Sequence, residues 1–374
     1  MTTDFPFERL SRWPEISAPN LFAFDATDRL LLDAAATDLA ASAAGDVVVI
    51  GDRFGALTLG AVAAGATGIR VHQDELSGER ALANNAATLS RPDGYTNMPL
   101  EGSVVDGARI VVLQLPRSLD ALAEIAELIA RHAAADVTVY AGGRVKHMTH
   151  AMNDVLGARF RSVTASLAHQ KSRVLTVRDP HRPAAVSSWP AREFHDDLGL
   201  WVCAHGAAFA GTKIDIGTRF LLGYLDGLPA AETAIDLGCG TGVLAAAIAR
   251  ARPAMRVTAT DQSAAAVASA RETASANGLA DRVTVVRDDG LSGWPDSSEE
   301  LIVLNPPFHV GATVHAGIAQ KLFDDAARVL KPGGELWTVW NSHLGYRPTL
   351  DRTVGPTRQL GRNTKFTVTV SVKR

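Results

Sequence analysis

Asn305-Pro306-Pro307-Phe308 is the stretch of this 374-residue sequence that concentrates most chemistry in fewest residues. An exocyclic amine conjugated with a purine ring is a poor nucleophile, because its lone pair is delocalised. If the Asn305 side-chain oxygen and the Pro306 carbonyl accept its two N–H bonds, the nitrogen is oriented and can pyramidalise toward an electrophile as attack proceeds. No strong general base is needed. The prolines fix the direction of that carbonyl, and Phe308 offers an aromatic face to an extruded base. In isolation the same residues would also serve as a turn that merely ends a strand.

Upstream, Asp236-Leu237-Gly238-Cys239-Gly240-Thr241-Gly242 separates a strand-like run from an Ala-rich one. Its glycines let the backbone turn tightly and approach a ligand without Cβ interference. A dinucleotide site prefers Gly-x-Gly-x-x-Gly to seat a pyrophosphate, but position 243 is valine. S-adenosylmethionine carries no phosphate, and the shorter motif preceded by Asp236 suits its zwitterionic amino-acid tail. Asp261, 19 residues beyond Gly242, stands where a carboxylate accepts both ribose hydroxyls. A nicotinamide site would share that acid; the Asn-Pro-Pro-Phe stretch downstream decides for S-adenosylmethionine as cofactor and S-adenosylhomocysteine as product, with Asn305 lying against both ligands. Asp288 is the expected acceptor for the adenine amine, and Asp289 the solvated neighbour. Cys239 reads as a small turn residue, since methylation at nitrogen needs no covalent intermediate. The 11 histidines show no metal-ligand spacing, so His309 and His315 read as structural or substrate-contacting, and no metal is expected.

These residues need elements to hold them. Thr233 to Leu237 reads as a first strand, Val243 to Arg252 as a helix, Arg256 to Thr260 as a second strand, and Ala264 to Asn277 as a helix capped by Asn277-Gly278. Strands over Arg282 to Arg287 and Leu301 to Leu304 follow; proline forces the chain out of the sheet after the latter. A helix from Gly317 to Leu330, stopped by Pro332-Gly333-Gly334, and strands over Glu335 to Trp340 and Lys365 to Val372 complete an α/β doubly wound domain with a mostly parallel sheet.

The first half repeats this plan. Gly51 and Gly238 are 187 residues apart, as are Asp74 and Asp261, and Gln114 precedes Asn305 by 191. The near-constant offset points to a duplicated domain. In the first copy the middle glycine has become Arg53, and the Asn-Pro-Pro-Phe stretch has become Gln114-Leu115-Pro116-Arg117. Both changes put bulk or charge where a ligand would sit, so this copy should be degenerate, a scaffold or an RNA-capturing module that binds no cofactor. The expected domains are 1–185 and 186–374, divided within the Pro-rich stretch Asp179 to Arg192.

Length and a 47% hydrophobic content fit two such domains. Neither a signal peptide nor a bilayer-spanning run is readable, and two cysteines cannot make a disulfide framework, so a soluble, cytoplasmic protein is expected. Net charge is −3, yet Ala141 to Arg182 carries eight Lys or Arg against two Asp, and Asn341 to Arg374 carries seven against one. Such runs are solvated faces or contacts to RNA phosphates.

The chain resembles the ribosomal-RNA guanine-N2 methyltransferases of the RsmC and RlmG type. The resemblance covers nearly the whole chain and rests on Phe209, Lys213-Ile214-Asp215-Ile216-Gly217, the Asp236 to Gly242 turn, Asp261 and Asn305-Pro306-Pro307-Phe308-His309. It implies two tandem Rossmann-like class I methyltransferase domains with only the second active, N2 of a guanine in ribosomal RNA or a ribosomal subunit as the acceptor, and roles for Asp215 and Gly217 in closing the cofactor pocket. Ser166 to Arg173 and Asn341-Ser342-His343-Leu344 look closer to the large-subunit enzyme. A monomer is expected. Two other readings stay open at this point: methylation of adenine N6 or of a protein glutamine amide, which the same Asn-Pro-Pro-aromatic geometry serves, and a non-catalytic RNA-binding assembly factor.

Overall fold

A computed structural model describes residues 5–15, 20–182, 186–307 and 312–374, with the side chains of 312–316 excepted. The chain divides into two compact units, Met1–Trp189 and Pro190–Arg374. In the first, β1 (Val47–Ile50), β2 (Ile69–His72), β3 (Tyr95–Asn97), β4 (Ile110–Gln114), β5 (Thr138–Arg144), β6 (Phe160–Ala165) and β7 (Ser172–Pro180) form one sheet in the order β3-β2-β1-β4-β5-β7-β6. Around it lie α1 (Ala26–Ala41), α2 (Ala56–Ala63), α3 (Leu76–Thr88), α4 (Gly102–Val105), α5 (Leu119–His132) and α6 (His150–Gly157). β1 is a continuous apolar run because helices cover both faces of a parallel sheet. Val47 and Val49 enter one core, Val48 and Ile50 the other.

The second unit opens with a hairpin, β8 (Ala191–His195) and β9 (Leu200–Ala204), and the short helix α7 (Ile216–Leu222). Then come β10 (Thr233–Leu237), α8 (Val243–Ala251), β11 (Arg256–Asp261), α9 (Ala264–Ala276), β12 (Val283–Arg287), β13 (Glu299–Leu304), α10 (Ala312–Val329), β14 (Leu330–Asn341), α11 (Arg347–Thr353), β15 (Thr357–Arg362) and β16 (Phe366–Val372). Their sheet order, β12-β11-β10-β13-β14-β16-β15, repeats that of the first unit strand for strand. Six strands run in one direction, and β16, inserted between β14 and β15, runs antiparallel to both neighbours. The winding reverses between β1 and β4 in one sheet and between β10 and β13 in the other, which opens a crevice at their C-terminal ends. Exposed Arg358 and Arg362 stand on the edge strand β15, where charge also discourages pairing with another chain.

Two elements begin five residues earlier than the sequence reading places them. α10 begins at Ala312 and carries Gly317 inside it, at a cost of about 1 kcal/mol that eighteen residues of helix absorb. Pro332-Gly333-Gly334 lies within β14, whose pairing with β13 jumps from Glu299–Leu330 to Leu301–Glu335, with Gly333 at φ +81° making the bulge.

The strand pairings of the two copies correspond, with one correction to the sequence offsets. Ile50 pairs with Leu113 as Leu237 pairs with Leu304, so Gln114 occupies the place of Asn305. Ile50 pairs with His72, whereas Leu237 pairs with Thr260. The residue matching Asp261 is therefore Gln73, not Asp74: the constant offset in sequence conceals a slip of one residue between glycine turn and second strand. Gln73 is buried and its amide donates to the Asp52 carbonyl at 2.6 Å, a structural bond. Asp236 is matched by Val49. The carboxylate that caps the following helix comes instead from Asp52, which accepts from Gly55 N and Thr58 N at 2.9 and 2.8 Å. The first copy has thus rebuilt the helix cap while losing both acids and the middle glycine.

Asp28, in the first turn of α1, is buried and accepts from the Asp25 backbone N–H at 2.7 Å. Burial raises its pKa from the ordinary 3.8 to about 8. The folded protein therefore holds a proton that the unfolded chain has released, and stability falls as pH rises between about 4 and 8, by up to about 1.4 kcal/mol per unit. Asp28→Asn, which keeps the acceptor and removes the charge, is expected to melt above the wild type at pH 8, with the gap narrowing toward pH 5. Melting curves that track the wild type at both pH values would contradict this.

Candidate functional site

β10 delivers Asp236 and Leu237 into a turn whose three glycines all have positive φ: Gly238 +70°, Gly240 +53° and Gly242 +76°. The first two have open space where a Cβ would lie, whereas a Cβ on Gly242 would come within 2.9 Å of Ala270 Cβ. Gly242 therefore lets α8 pack on α9, and Gly238 and Gly240 keep the mouth of the crevice clear. Asp236 is buried; one oxygen accepts from Ala245 N at 2.9 Å and the other, Oδ1, has no partner. Burial, with the charge of Asp261 nearby, lifts its pKa to about 7. Asp261 ends β11 and accepts from Gly240 N and Ser263 N, both at 3.0 Å, which locks the glycine turn against the second strand.

Asn305 leaves β13 at the other wall of the crevice. Its Nδ2 donates to Asp215 Oδ2 at 3.0 Å and to Thr218 Oγ1 at 2.9 Å. Its Oδ1 is buried without a partner. Asp215 is the N-cap of α7, accepting from Gly217 N at 2.8 Å and Thr218 N at 3.1 Å. A Cβ on Gly217 would lie 2.9 Å from Asp215 Oδ2 and 3.3 Å from Asn305 Oδ1, so only glycine leaves room there. Pro306 is buried and Pro307 exposed; Phe308 and His309 lie outside the described residues, as does the side chain of His315.

The structure thus brings Asp215, Gly217 and Asn305 into contact, and links Asp236, Gly238, Gly240, Gly242 and Asp261 through one turn. Asp288 is buried one strand away, its backbone N–H bonded to the Asp261 carbonyl at 3.0 Å. Its carboxylate accepts from Asp289 N at 2.8 Å, from the Ser292 hydroxyl, and from Gly293 N at 2.9 Å. It braces the turn after β12. The Cys239 thiol is buried and pushed well above its ordinary pKa by that burial, which keeps it protonated and unreactive.

Buried polar atoms without partners are rare in folded proteins and mark places where a ligand or water completes the bonding. Among the described residues of the second unit five such atoms occur, and four of them, Asp236 Oδ1, Thr260 Oγ1, Gln262 Oε1 and Asn305 Oδ1, lie on or just beyond the adjoining strands β10, β11 and β13, the fifth being Thr338 Oγ1 on β14. An acceptor-rich crevice with an open glycine turn and no Lys or Arg within that turn fits a cationic, phosphate-free cofactor. Asp236 would take the ammonium of an amino-acid tail, Asp261 the ribose, and Asp288 the adenine amine. Sequence reasoning missed Thr218, Thr260 and Gln262. A small polar residue three positions after the N-cap Asp215 was visible, but its contact lies 87 residues away in the chain.

Comparisons with known proteins give the family. A family model described as the RLMG N-terminal domain matches residues 1–181, and one described as the methyltransferase small domain matches 199–370. A Streptomyces avermitilis protein named ribosomal RNA large subunit methyltransferase G is 35% identical over 386 residues, with 100% of this chain and 99% of that protein covered. One of the same name from Pseudomonas paraeruginosa is 36% identical over 369 residues, with 97% of each covered. In fold, the chain resembles the Thermus thermophilus 16S rRNA N2 G1207 methyltransferase RsmC, solved with AdoMet and guanosine, at a TM-score of 0.70 and 21% identity over 96% of this chain and 97% of that one. With two full-length relatives of one name and both domains matched, this chain belongs to the ribosomal RNA large subunit methyltransferase G family.

Proposed function

We propose that the second domain transfers a methyl group from S-adenosylmethionine to the exocyclic N2 of a guanine in large-subunit ribosomal RNA, acting in the cytoplasm as a monomer without a metal ion. The observation that carries this reading is Asn305 Oδ1, a buried acceptor without a hydrogen-bond partner just past the end of β13, which pairs with the strand that leads into the glycine turn. When bound, the cofactor supplies an electrophilic methyl on its sulfonium sulfur. Asn305 Oδ1 and the Pro306 carbonyl accept the two N–H bonds of the amine and aim its lone pair; Phe308 stacks on the extruded base. Catalysis comes from positioning and fixed acceptors, and the proton leaves the product nitrogen after transfer, when that nitrogen is acidic. Incubation with labelled S-adenosylmethionine and ribosomal RNA from cells lacking the gene should place label in the RNA. Label in protein, or in neither, would overturn the proposal.

The first domain has a surface suited to the same substrate. Arg53 follows β1, Arg117 follows β4, Arg144 ends β5 and Lys146 lies just beyond, so four cations gather at the C-terminal edge of the parallel strands. Exposed His147 is held below its ordinary pKa by partial desolvation and then by Arg117, Lys146, Arg53 and Arg144. A concentration of positive charge at that edge suits phosphates. Arg117→Ala with Lys146→Ala is expected to weaken RNA binding about tenfold at low salt, and to lower the slope of log affinity against log salt by about 1.5, with cofactor affinity untouched. Filter binding across a salt series measures both; an unchanged slope would remove these residues from the RNA contact.

A further inference from the structure

The Asn305 amide could in principle face the crevice with either end, and only its oxygen can accept from an amine. We propose that Asp215 and Thr218 are positioning residues that clamp this amide with Oδ1 toward the methyl acceptor. The inference rests on the reading that Asn305 receives the substrate N–H. Nδ2 carries two hydrogens, and both are used, one on Asp215 Oδ2 at 3.0 Å and one on Thr218 Oγ1 at 2.9 Å. The reversed amide would set Oδ1 against a carboxylate oxygen that has no hydrogen to give, so the charge on Asp215 selects one orientation. Asp215 cannot swing aside, because the same Oδ2 accepts two backbone N–H groups of the first turn of α7. Gly217 between them has no Cβ to crowd either Asp215 Oδ2 or Asn305 Oδ1.

The degenerate copy lacks the clamp. At the same offsets from the N-cap of α1, Asp25, the glycine is replaced by Thr27 and the threonine by Asp28, while Gln114 stands for Asn305. Thr27 Oγ1 bonds Ser172 Oγ at 2.9 Å, and Asp28 is turned back onto the Asp25 N–H. Glycine, threonine and asparagine are all replaced in that copy, and the cap aspartate alone is kept, as Asp25.

The test measures kcat, KM for ribosomal RNA and cofactor Kd for Thr218→Val, Thr218→Ser, Asp215→Asn and Asn305→Ala, and for Thr218→Val in the Asn305→Ala background. Thr218→Val should lower kcat about tenfold, the size expected for one lost hydrogen bond, with cofactor Kd and melting temperature within error of the wild type. Serine at 218 should recover most of the rate. Asp215→Asn keeps the helix cap but lets the Asn305 amide turn over, and should also act on kcat. Thr218→Val should have no further effect on the Asn305→Ala enzyme, because the clamp acts only through that amide. Full turnover in Thr218→Val and Asp215→Asn, with Asn305→Ala inactive, sinks the clamp alone. Wild-type turnover in Asn305→Ala sinks the reading of Asn305 and the clamp with it. Should the valine variant fail to fold, the serine and Asp215→Asn variants decide.

Discussion

Asn305→Ala is expected to lower kcat about a thousandfold while leaving the cofactor Kd within about twofold of the wild type. Removing one preorganised hydrogen-bonding group at a reacting centre costs on the order of 10² to 10³ in rate. Here the group removed is Oδ1, buried and without a protein partner, whose partner would be the substrate amine. The Nδ2 end of the same side chain bonds only protein atoms, Asp215 Oδ2 and Thr218 Oγ1, so its loss should cost local order before it costs cofactor contacts. Single-turnover kinetics with saturating RNA, beside calorimetric titration of the cofactor, separate the two. Equal losses of rate and cofactor affinity would make Asn305 a wall of the cofactor pocket and not a catalytic residue.

Gly240→Arg, which copies Arg53 into the second domain, is expected to weaken cofactor binding at least about a hundredfold, or about 2.7 kcal/mol. The position has φ +53° and open space around a built Cβ, so the side chain enters the crevice without displacing packed atoms. The cost to the fold is that of a left-handed non-glycine residue, about 1 kcal/mol. A guanidinium there meets a cationic ligand and crosses toward Asp236 and Asp261, whose carboxylates it would occupy. Titration of the cofactor and a thermal melt on the same sample test this: lost binding with a melt lowered by only a few degrees is the expected pair. The reverse change, Arg53→Gly, should create no cofactor site in the first domain, because Val49 and Gln73 stand where Asp236 and Asp261 would be. Retained affinity in Gly240→Arg would place the cofactor elsewhere.

What could be read from the sequence was what local chemistry announces. β10 runs over Thr233–Leu237 as the apolar run and the glycine turn demand, and the break after Leu304 follows from two prolines. The duplication was legible for the same reason, since strand-turn-helix units with glycine at fixed offsets leave a periodic trace. A slip of one residue leaves none, so Asp74 looked like the partner of Asp261 until the strand pairing put Gln73 there. The hairpin β8–β9 has no alternating pattern strong enough to declare it; it is held by α9, through Trp201 N to Asn277, Cys203 N to Thr273 and His205 N to Ser269. Thr218 was invisible because its contact to Asn305 exists only once α7 and β13 are packed together. Asp288 was legible only as an acid after the third strand; its work in bracing the following turn depends on Ser292 and Gly293 folding back onto it.

The most direct test of the central claim is nucleoside digestion of large- and small-subunit ribosomal RNA, offered naked and as particles from cells lacking the gene, after reaction with this protein and labelled S-adenosylmethionine. The account predicts label in N2-methylguanosine from the large-subunit material, abolished by Asn305→Ala and by Gly240→Arg. Label in N6-methyladenosine, or in small-subunit RNA alone, would contradict it.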